Sequence, residues 1–296
     1  MKIDAVFSGG GVKAFAFIGC LQSLSAHNFT LERVAGTSAG AIFASLIAAG
    51  YEAEEINEQL AILNLQNLLD PPSLTTYLPF TKWFYLYFQM GLNKGEKLEQ
   101  WIAELLARKG VYTFKDLPSS YLKIIATDLT YSRLVVIPDD LQRFYEITPE
   151  NFPIATAVRM SAGFPYFFVP KRIKTENNEI CLFVDGGLVS NFPLWVFENE
   201  SGRKKRPILG MKLSETTGPL RKQQINNSFS LLQAMLTTMK QAHDHRYIFK
   251  THEQNIIYIS TPNISPIDLM ISETTRHELI ESGKASTNKF LKRWPN

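Results

Sequence analysis

The sequence predicts an α/β protein of three layers, in which a mostly parallel central sheet carries helices on both faces. Short apolar runs alternate with longer amphipathic segments along the chain, as strands and helices do in this class. Glycines follow several of the apolar runs, as is typical where a strand turns into a helix. No linker, repeat or low-complexity segment is present. We therefore expect one catalytic domain over 1–296, with its motifs in 5–215 and a C-terminal strand and helix (225–296) packed on it.

The first elements are predicted to be two strand–helix pairs. Residues 3–7 (IDAVF) form a short apolar run before three glycines, and 12–26 has apolar residues at helical spacing. A second strand is expected at 31–35, and the run 39–49 (AGAIFASLIAA) is apolar on every side, which predicts a deeply buried helix. The same alternation continues with helices at 53–65, 94–109, 154–161, 228–245 and 273–293, and strands at 121–127, 134–138, 180–184, 208–213 and 256–260.

Composition restricts the class of function. The net charge of the 296 residues is only +3, so nothing favours nucleic-acid binding. The two cysteines, Cys20 and Cys181, have no metal-site or disulfide spacing, and we expect both to be reduced and buried. No secretory h-region or run of about 18 apolar residues is present, which indicates a cytoplasmic protein. Leaderless secretion stays open.

A glycine-rich stretch, SGGGVKA at 8–14, separates the first strand from the first helix. It is not a Walker A loop, because Lys13 follows Val12 and precedes Ala14. It also lacks the third glycine of a dinucleotide fingerprint, where Ala14 stands. Backbone N–H groups at such a turn are unpaired at the positive end of a helix, which suits an oxyanion as well as a phosphate. A tight turn without any ligand is the alternative.

A second glycine motif, GTSAG at 36–40, matches G-x-S-x-G between a predicted strand and the buried helix. This is the context of a nucleophile elbow, a sharp turn that presents a serine hydroxyl. Gly36 and Gly40 lack Cβ atoms, so strand and helix can pack closely around the turn. The hydroxyl of Ser38 would lie at a helix N-terminus, where negative charge is favoured. We predict that Ser38 is a nucleophile.

A serine nucleophile needs a base, and histidine is the usual one in α/β-hydrolases. None of the five histidines follows a strand in a glycine-supported loop. His243 and His245 lie near the end of a predicted helix, with Asp244 between them, as at an ordinary solvated helix end.

Asp185 is the stronger candidate for the base. It ends a predicted strand and is followed by Gly186 and Gly187, so we expect its carboxylate at the carboxyl edge of the sheet, where sites form in parallel α/β proteins. Asp-Gly-Gly alone would be an ordinary turn. Its combination with the elbow favours a catalytic role.

The motifs at 9–13 (GGGVK), 36–40 (GTSAG) and 185–187 (DGG), in this order, resemble those of the patatin-like phospholipases. These are bacterial and plant lipid acyl hydrolases related to the catalytic domain of cytosolic phospholipases. The segment AVRMSAGFPYFFVP is similar to a serine-and-proline segment of that family, and Asn191 and Pro193 also fit the pattern. The resemblance spans about 1–215.

The resemblance implies a dyad without histidine, metal or cofactor, in which Ser38 attacks and Asp185 is the general base. The implied oxyanion hole is the glycine turn: N–H groups of Gly10 and Gly11, with Gly9 shaping the turn and Lys13 nearby. The family usually has glycine where this chain has Ala14; alanine is small and compatible with a helix, so we expect little loss from this departure. The implied substrate is a phospholipid or another fatty-acyl ester. An acyltransferase on the same dyad and a lipid-binding regulatory protein are the alternatives.

Two aromatic segments are candidates for lipid contact. The run 77–90 (YLPFTKWFYLYFQM), with Trp83 and Phe84, has Lys82 as its only charge, which suits a lid at a membrane interface; a buried helix or a dimer contact fits equally. Phe164 and Phe167 belong to a second cluster that would line an acyl channel or fill the core. The basic run 203–206 would touch anionic headgroups or lie in a solvated loop. The sequence does not indicate an oligomeric state.

Overall fold

A computed structural model describes residues 1–72, 81–198, 206–215, 225–226, 230–231, 234–235, 238–239, 253–261, 264–265 and 268–294. Side chains are not described for 81–84, 215 and 253. Most of the helix predicted at 228–245, most of the basic run 203–206 and the first part of the run 77–90 therefore lie outside the described residues.

The described residues form a mixed sheet and a small two-stranded ladder. The strands are β1 (Lys2–Phe7), β2 (Thr30–Thr37), β3 (Gly91–Asn93), β4 (Leu122–Asp128), β5 (Arg133–Ile137), β6 (Tyr166–Phe168), β7 (Lys171–Lys174), β8 (Ile180–Asp185), β9 (Ile208–Glu215) and β10 (Ile256–Thr261). The helices are α1 (Ala16–Ala26), α2 (Ala39–Ala48), α3 (Ala53–Ala61), α4 (Thr81–Gln89), α5 (Glu96–Arg108), α6 (Leu141–Tyr145), α7 (Ile154–Ser161) and α8 (Glu273–Leu291).

Most of the main sheet is parallel, which confirms the predicted fold class. Neighbouring strands β10, β9, β1, β2 and β4 run in one direction. β5 and β8 are antiparallel to β4, and β7 is antiparallel to β8. The small ladder pairs β3 with β6.

Apolar side chains cover both faces of the sheet. On one face, Phe17 of α1 packs edge-on against Phe7 of β1 and Phe43 of α2, with ring centroids 5.2 and 5.5 Å apart. On the other face, strand residues such as Val6 pack against a cluster that includes Phe192 and the 3₁₀ helix Leu194–Phe197. None of the described helices is both long and apolar enough to span a bilayer.

Several element boundaries differ from the sequence expectation. The helix predicted at 12–26 begins as a 3₁₀ helix, Gly11–Phe15, and only then continues as α1. The helix predicted at 53–65 ends at Ala61, because Asn64 caps the next short helix by accepting the N–H of Gln66 at 3.0 Å. β3, β6 and β7 were not predicted, since three or four residues are too few to show an alternating pattern.

Two strand ends meet head-on beside β4. Residues 124–128 of β4 pair with β5 along one side. On the opposite side Ile125 pairs with Thr37 of β2, and the next residue, Ala126, pairs with Asp185 of β8. Because a strand has only two sides, β2 and β8 lie on the same side of β4 and run toward each other. Asp185 ends β8, as expected, but β8 is antiparallel to β4, so Asp185 meets the carboxyl end of β2 from the opposite direction instead of ending a parallel strand.

Candidate active site

The elbow at Ser38 connects β2 to α2 through a strained residue. Ser38 has φ 56° and ψ −126°, which is unfavourable for a residue with a side chain. A Cβ atom on Gly40 would lie 2.4 Å from the carbonyl oxygen of Phe7, and one on Gly36 would lie 2.2 Å from the carbonyl oxygen of Gly40. Both glycines are therefore required for strand and helix to approach so closely, as the motif predicts.

The hydroxyl of Ser38 donates a hydrogen bond of 2.6 Å to Oδ2 of Asp185. The other carboxylate oxygen, Oδ1, accepts the N–H of Gly187 at 2.7 Å. The backbone of Asp185 is also held, because its N–H donates to the carbonyl oxygen of Gly163 at 2.9 Å and its own carbonyl accepts the Thr127 hydroxyl at 3.1 Å. Asp185 is buried. The carboxylate is thus oriented with one oxygen toward the serine, which is the arrangement of a nucleophile and its base.

Gly186 explains why this turn can lie so close to β4. A Cβ atom on Gly186 would be 2.2 Å from the carbonyl oxygen of Ile125. A larger residue there would push the turn, and Asp185 with it, away from Ser38.

The glycine turn lies against the nucleophile. A Cβ atom on Gly9 would be 3.2 Å from Cβ of Ser38, and the N–H of Gly9 donates to the carbonyl oxygen of Asn191 at 3.0 Å. Gly11 has φ +56°, a conformation that favours glycine. Among the described residues, no acceptor takes the N–H groups of Gly10 and Gly11. Two free donors therefore stand at the start of the 3₁₀ helix.

Lys13 and Ala14 follow within that 3₁₀ helix, and both side chains are buried. Asn191 closes the turn, since its side-chain Nδ2 donates to the carbonyl oxygen of Gly9 at 3.3 Å. The loop after Asp185 is thus tied to the glycine turn by Asn191.

The sequence reasoning did not assign a role to Ser161, which contacts the elbow directly. Its buried hydroxyl accepts the backbone N–H of Ser38 at 2.9 Å and donates to the carbonyl oxygen of Ile125 at 2.5 Å. The only signal for it in the sequence was its position in the serine-and-proline segment.

Arg159, two residues earlier, is also buried. Its guanidinium donates to three carbonyl oxygens, those of Lys94, Gly95 and Val169, at 2.7 to 3.1 Å. Burial lowers the pKa of Arg159 from its ordinary value. This side chain joins the end of α7 to the start of α5 and to the segment before β7.

The candidates for acyl contact are only partly described. The side chains of Trp83 and Phe84 lie outside the described residues. Phe164 is half-buried. Phe167 lines an open cavity of about 560 Å³ whose other walls are Gln66, Leu69, Pro71, Asp268, Leu269 and Met270.

The described cysteines and His27 are further potential nucleophiles and bases, but they lie in other surroundings. Cys20 and Cys181 are free and buried, as expected, and burial raises the pKa of Cys20 to about 12, so it is not a thiolate nucleophile. His27 closes α1 through the carbonyl oxygen of Ser23. His243, His245 and His252 lie outside the described residues. The described residues contain no group of three or more His, Cys, Asp or Glu side chains suited to a metal ion.

The chain is similar in sequence to known proteins. The family model of the patatin-like phospholipases matches residues 5–198. The uncharacterized protein YqhO of Bacillus subtilis is 44% identical over 294 residues, which cover 99% of both chains.

Two solved structures share the fold. VipD from Legionella pneumophila matches 99% of this chain with a TM-score of 0.58 and 18% identity, and the match covers 67% of VipD. The type III effector ExoU of Pseudomonas aeruginosa matches all of this chain with a TM-score of 0.54 and 17% identity. The chain spans 54% of the ExoU chain.

Proposed function

The chain belongs to the patatin-like phospholipase family, and from this premise we propose that it is a lipid acyl hydrolase that cleaves fatty-acyl esters through an acyl-enzyme on Ser38. The observation that carries the proposal is the 2.6 Å hydrogen bond from Ser38 Oγ to Asp185 Oδ2, made at a strained elbow. A serine in ordinary structural use has no need of either feature.

The reaction has two steps on one dyad. Asp185 accepts the proton of Ser38 as Oγ attacks the ester carbonyl, and a tetrahedral oxyanion forms. When the C–O bond to the alcohol breaks, Asp185 returns the proton to the leaving oxygen. Asp185 then accepts a proton from water, whose oxygen attacks the acyl-enzyme. Collapse of the second tetrahedral intermediate releases the fatty acid, and the proton returns to Ser38.

The oxyanion is assigned to the free N–H groups of Gly10 and Gly11. Each such donor contributes about 3–4 kcal/mol to the transition state in comparable sites. Gly9 sets their distance from the serine by its close packing against Ser38. Lys13 follows in the same 3₁₀ helix, and its side chain is buried.

A carboxylate is a weak base for a serine hydroxyl, so its orientation must compensate. In this site Gly187 holds Oδ1 at 2.7 Å, which leaves Oδ2 directed at Ser38. Both strand ends are fixed beside adjacent residues of β4. The proton transfer therefore requires little rearrangement, which is the condition under which positioning contributes most.

The acyl chain is assigned to the cavity beside Phe167. Leu69, Pro71, Leu269 and Met270 make its wall largely apolar, and a chain of methylene groups gains about 0.8 kcal/mol for each one buried.

Contact with the lipid surface is assigned to α4. Tyr87 and Phe88 are 80% and 56% exposed and stack edge-on at 5.0 Å, and exposed aromatic side chains favour a membrane interface. Co-sedimentation with phospholipid vesicles tests this assignment. If α4 makes the contact, a smaller fraction of the Tyr87→Ser variant than of the wild-type protein should sediment with the vesicles.

The decisive experiment compares p-nitrophenyl acyl ester hydrolysis by wild type, Ser38→Ala and Asp185→Asn. We expect kcat to fall on the order of 10³-fold or more in both variants, since the dyad acts as a unit. Ser45→Ala is the matched control, because Ser45 is buried in α2 and its hydroxyl donates to the carbonyl oxygen of Ile42 in the same helix at 2.8 Å. Equal activity in all the proteins would contradict the dyad.

Product analysis separates the remaining alternatives. Free fatty acid as the main product, with an alcohol or thiol acceptor present, supports a hydrolase. Transfer of the acyl group to the acceptor in preference to water would identify an acyltransferase. A wild-type protein that binds lipid without turnover or fluorophosphonate labelling of Ser38 would identify a regulatory protein on this fold.

A further inference from the structure

We propose that Ser161 is a positioning residue that aligns Ser38 with Asp185. The inference rests on the proposed function, because it concerns the efficiency of the same dyad. Both hydrogen bonds of the Ser161 hydroxyl described above are made to the backbone. We therefore assign Ser161 no contact with the substrate carbonyl; it acts on the backbone that carries the nucleophile.

The hydroxyl of Ser161 connects the nucleophile to the strand beside it. It accepts the N–H of Ser38 at 2.9 Å and donates to the carbonyl oxygen of Ile125 at 2.5 Å. Ile125 is the β4 residue that pairs with Thr37, and its neighbour Ala126 pairs with Asp185. The hydroxyl is therefore anchored at the point where the two strand ends meet.

The strained backbone of Ser38 makes this contact important. A residue at φ 56° and ψ −126° relaxes unless its surroundings hold it. The N–H of Ser38 has the Ser161 hydroxyl as its acceptor, and loss of that acceptor would leave a donor in the turn without a partner, which is costly where water is excluded. Without it, the elbow is free to rotate the hydroxyl of Ser38 away from Asp185.

The same end of α7 also holds the base. Two residues after Ser161, the carbonyl oxygen of Gly163 accepts the N–H of Asp185 at 2.9 Å. The buried guanidinium of Arg159 fixes this end of the helix through the carbonyl oxygens of Lys94, Gly95 and Val169. One short segment, 159–163, thus sets the position of both members of the dyad from a rigid support.

The test measures ester hydrolysis and the rate of fluorophosphonate labelling of Ser38. We expect Ser161→Ala to lower kcat on the order of 10–100-fold, the effect of a small misplacement of reacting groups, with KM changed less than about twofold. Labelling should slow by a similar factor. Ser45→Ala again serves as the control, because it removes a buried serine hydroxyl from the elbow helix without touching the dyad, and it should keep wild-type rates.

A double-mutant cycle distinguishes alignment from general loss of structure. If Ser161 acts by placing Ser38 against Asp185, then Ser161→Ala should slow labelling less than about threefold in an Asp185→Asn background. A multiplicative loss in the double variant would overturn the proposal, as would wild-type kcat in a folded Ser161→Ala protein.

If the alanine variant does not fold, Ser161→Cys replaces it. A thiol is of similar size but bonds more weakly, so the expected result is a smaller loss of kcat with KM unchanged. Wild-type kcat in this variant would overturn the proposal. Failure of the proposed function itself is recognised separately, because wild type would then show neither hydrolysis nor labelling.

Discussion

At the scale of single residues, the site depends on one backbone conformation that serine rarely adopts. Conformations of this kind cost about 1–3 kcal/mol and persist only where the surroundings enforce them. Around Ser38 this is done by the close packing at Gly36 and Gly40 and by the hydrogen bond from its N–H to Ser161. The strained conformation is thus held by residues to which we assign no chemical part in ester cleavage.

Gly40→Ala should therefore lower both stability and activity. In an open helix this change would stabilise the protein by up to about 1 kcal/mol. Here the new Cβ atom would lie 2.4 Å from the Phe7 carbonyl oxygen and 2.6 Å from that of Ser8, which forces α2 away from β1. We expect a loss of about 1–3 kcal/mol in the free energy of unfolding and a fall in kcat on the order of 10²-fold, measured by urea denaturation and ester hydrolysis.

Gly50→Ala is the control for this substitution. Gly50 has φ +87° with nothing within 4 Å of the added atom, so only backbone strain of about 1–2 kcal/mol is expected, with kcat unchanged. A Gly40→Ala protein that kept full activity would show that the close contact with β1 does not position the nucleophile.

The residue types of the site were predictable where local geometry demands them. Ser38 and its glycines follow from the strand–turn–helix context, and Asp185 follows from its two glycines. Ser161 was not predictable as a contact, because a hydrogen bond between residues 123 positions apart leaves no local pattern. The free N–H groups at Gly10 and Gly11 were expected from the turn itself.

At the scale of elements, the strands were largely predicted but the direction of β8 was not. Hydrophobic pattern defines a strand, whereas its pairing depends on distant partners. β8 pairs with β4 and β7 in antiparallel register, and β7 is too short for its charged sequence KRIK to indicate a strand. Ser38 Oγ donates to the Asp185 carboxylate at 2.6 Å, but Asp185 reaches it from an antiparallel strand rather than from the end of a parallel one.

The cavity beside β6 makes a prediction about acyl-chain length. Phe167→Ala removes an apolar wall, so kcat/KM for p-nitrophenyl dodecanoate should fall about tenfold, the equivalent of one to two lost methylene contacts. The acetate ester should change less than about twofold, because its chain does not reach the cavity. The chain-length series on purified enzyme measures this difference.

Tyr166→Ala is the matched control for the cavity, since Tyr166 precedes Phe167 in the same strand but is 42% exposed. It should leave the chain-length profile unchanged. An equal loss on all esters with Phe167→Ala would place the acyl chain elsewhere.

At the scale of the whole molecule, the sheet extends beyond the segment that the family model matches. That match ends at residue 198, yet β9 lies directly beside β1, and β10 beside β9. α8 crosses α1 at very close range: Cβ atoms on Gly283 and Gly19 would each lie 1.9 Å from a carbonyl oxygen of the other helix. The C-terminal part therefore packs on the helix that follows the glycine turn.

We accordingly predict that the chain unfolds as a single domain. Calorimetry should show one cooperative transition in wild type and in Gly283→Ala, with the latter less stable by about 1–3 kcal/mol. Glu281→Ala, an exposed change on the same helix, should have an effect within about 0.5 kcal/mol. Two separate transitions, of which Gly283→Ala shifts only one, would contradict the single domain.

Because the ends of β2 and β8 meet head-on beside β4, the distance between nucleophile and base depends on the register in which β8 pairs with β4. Each residue along β4 advances about 3.3 Å, so moving β8 by one residue would add roughly that much to the 2.6 Å hydrogen bond between Ser38 and Asp185 and would also reverse the face of every β8 side chain. Register shifts come in whole residues, so the proposed dyad is compatible with one pairing of β8 with β4. A substitution that shifts this register should therefore abolish the 2.6 Å contact rather than lengthen it gradually.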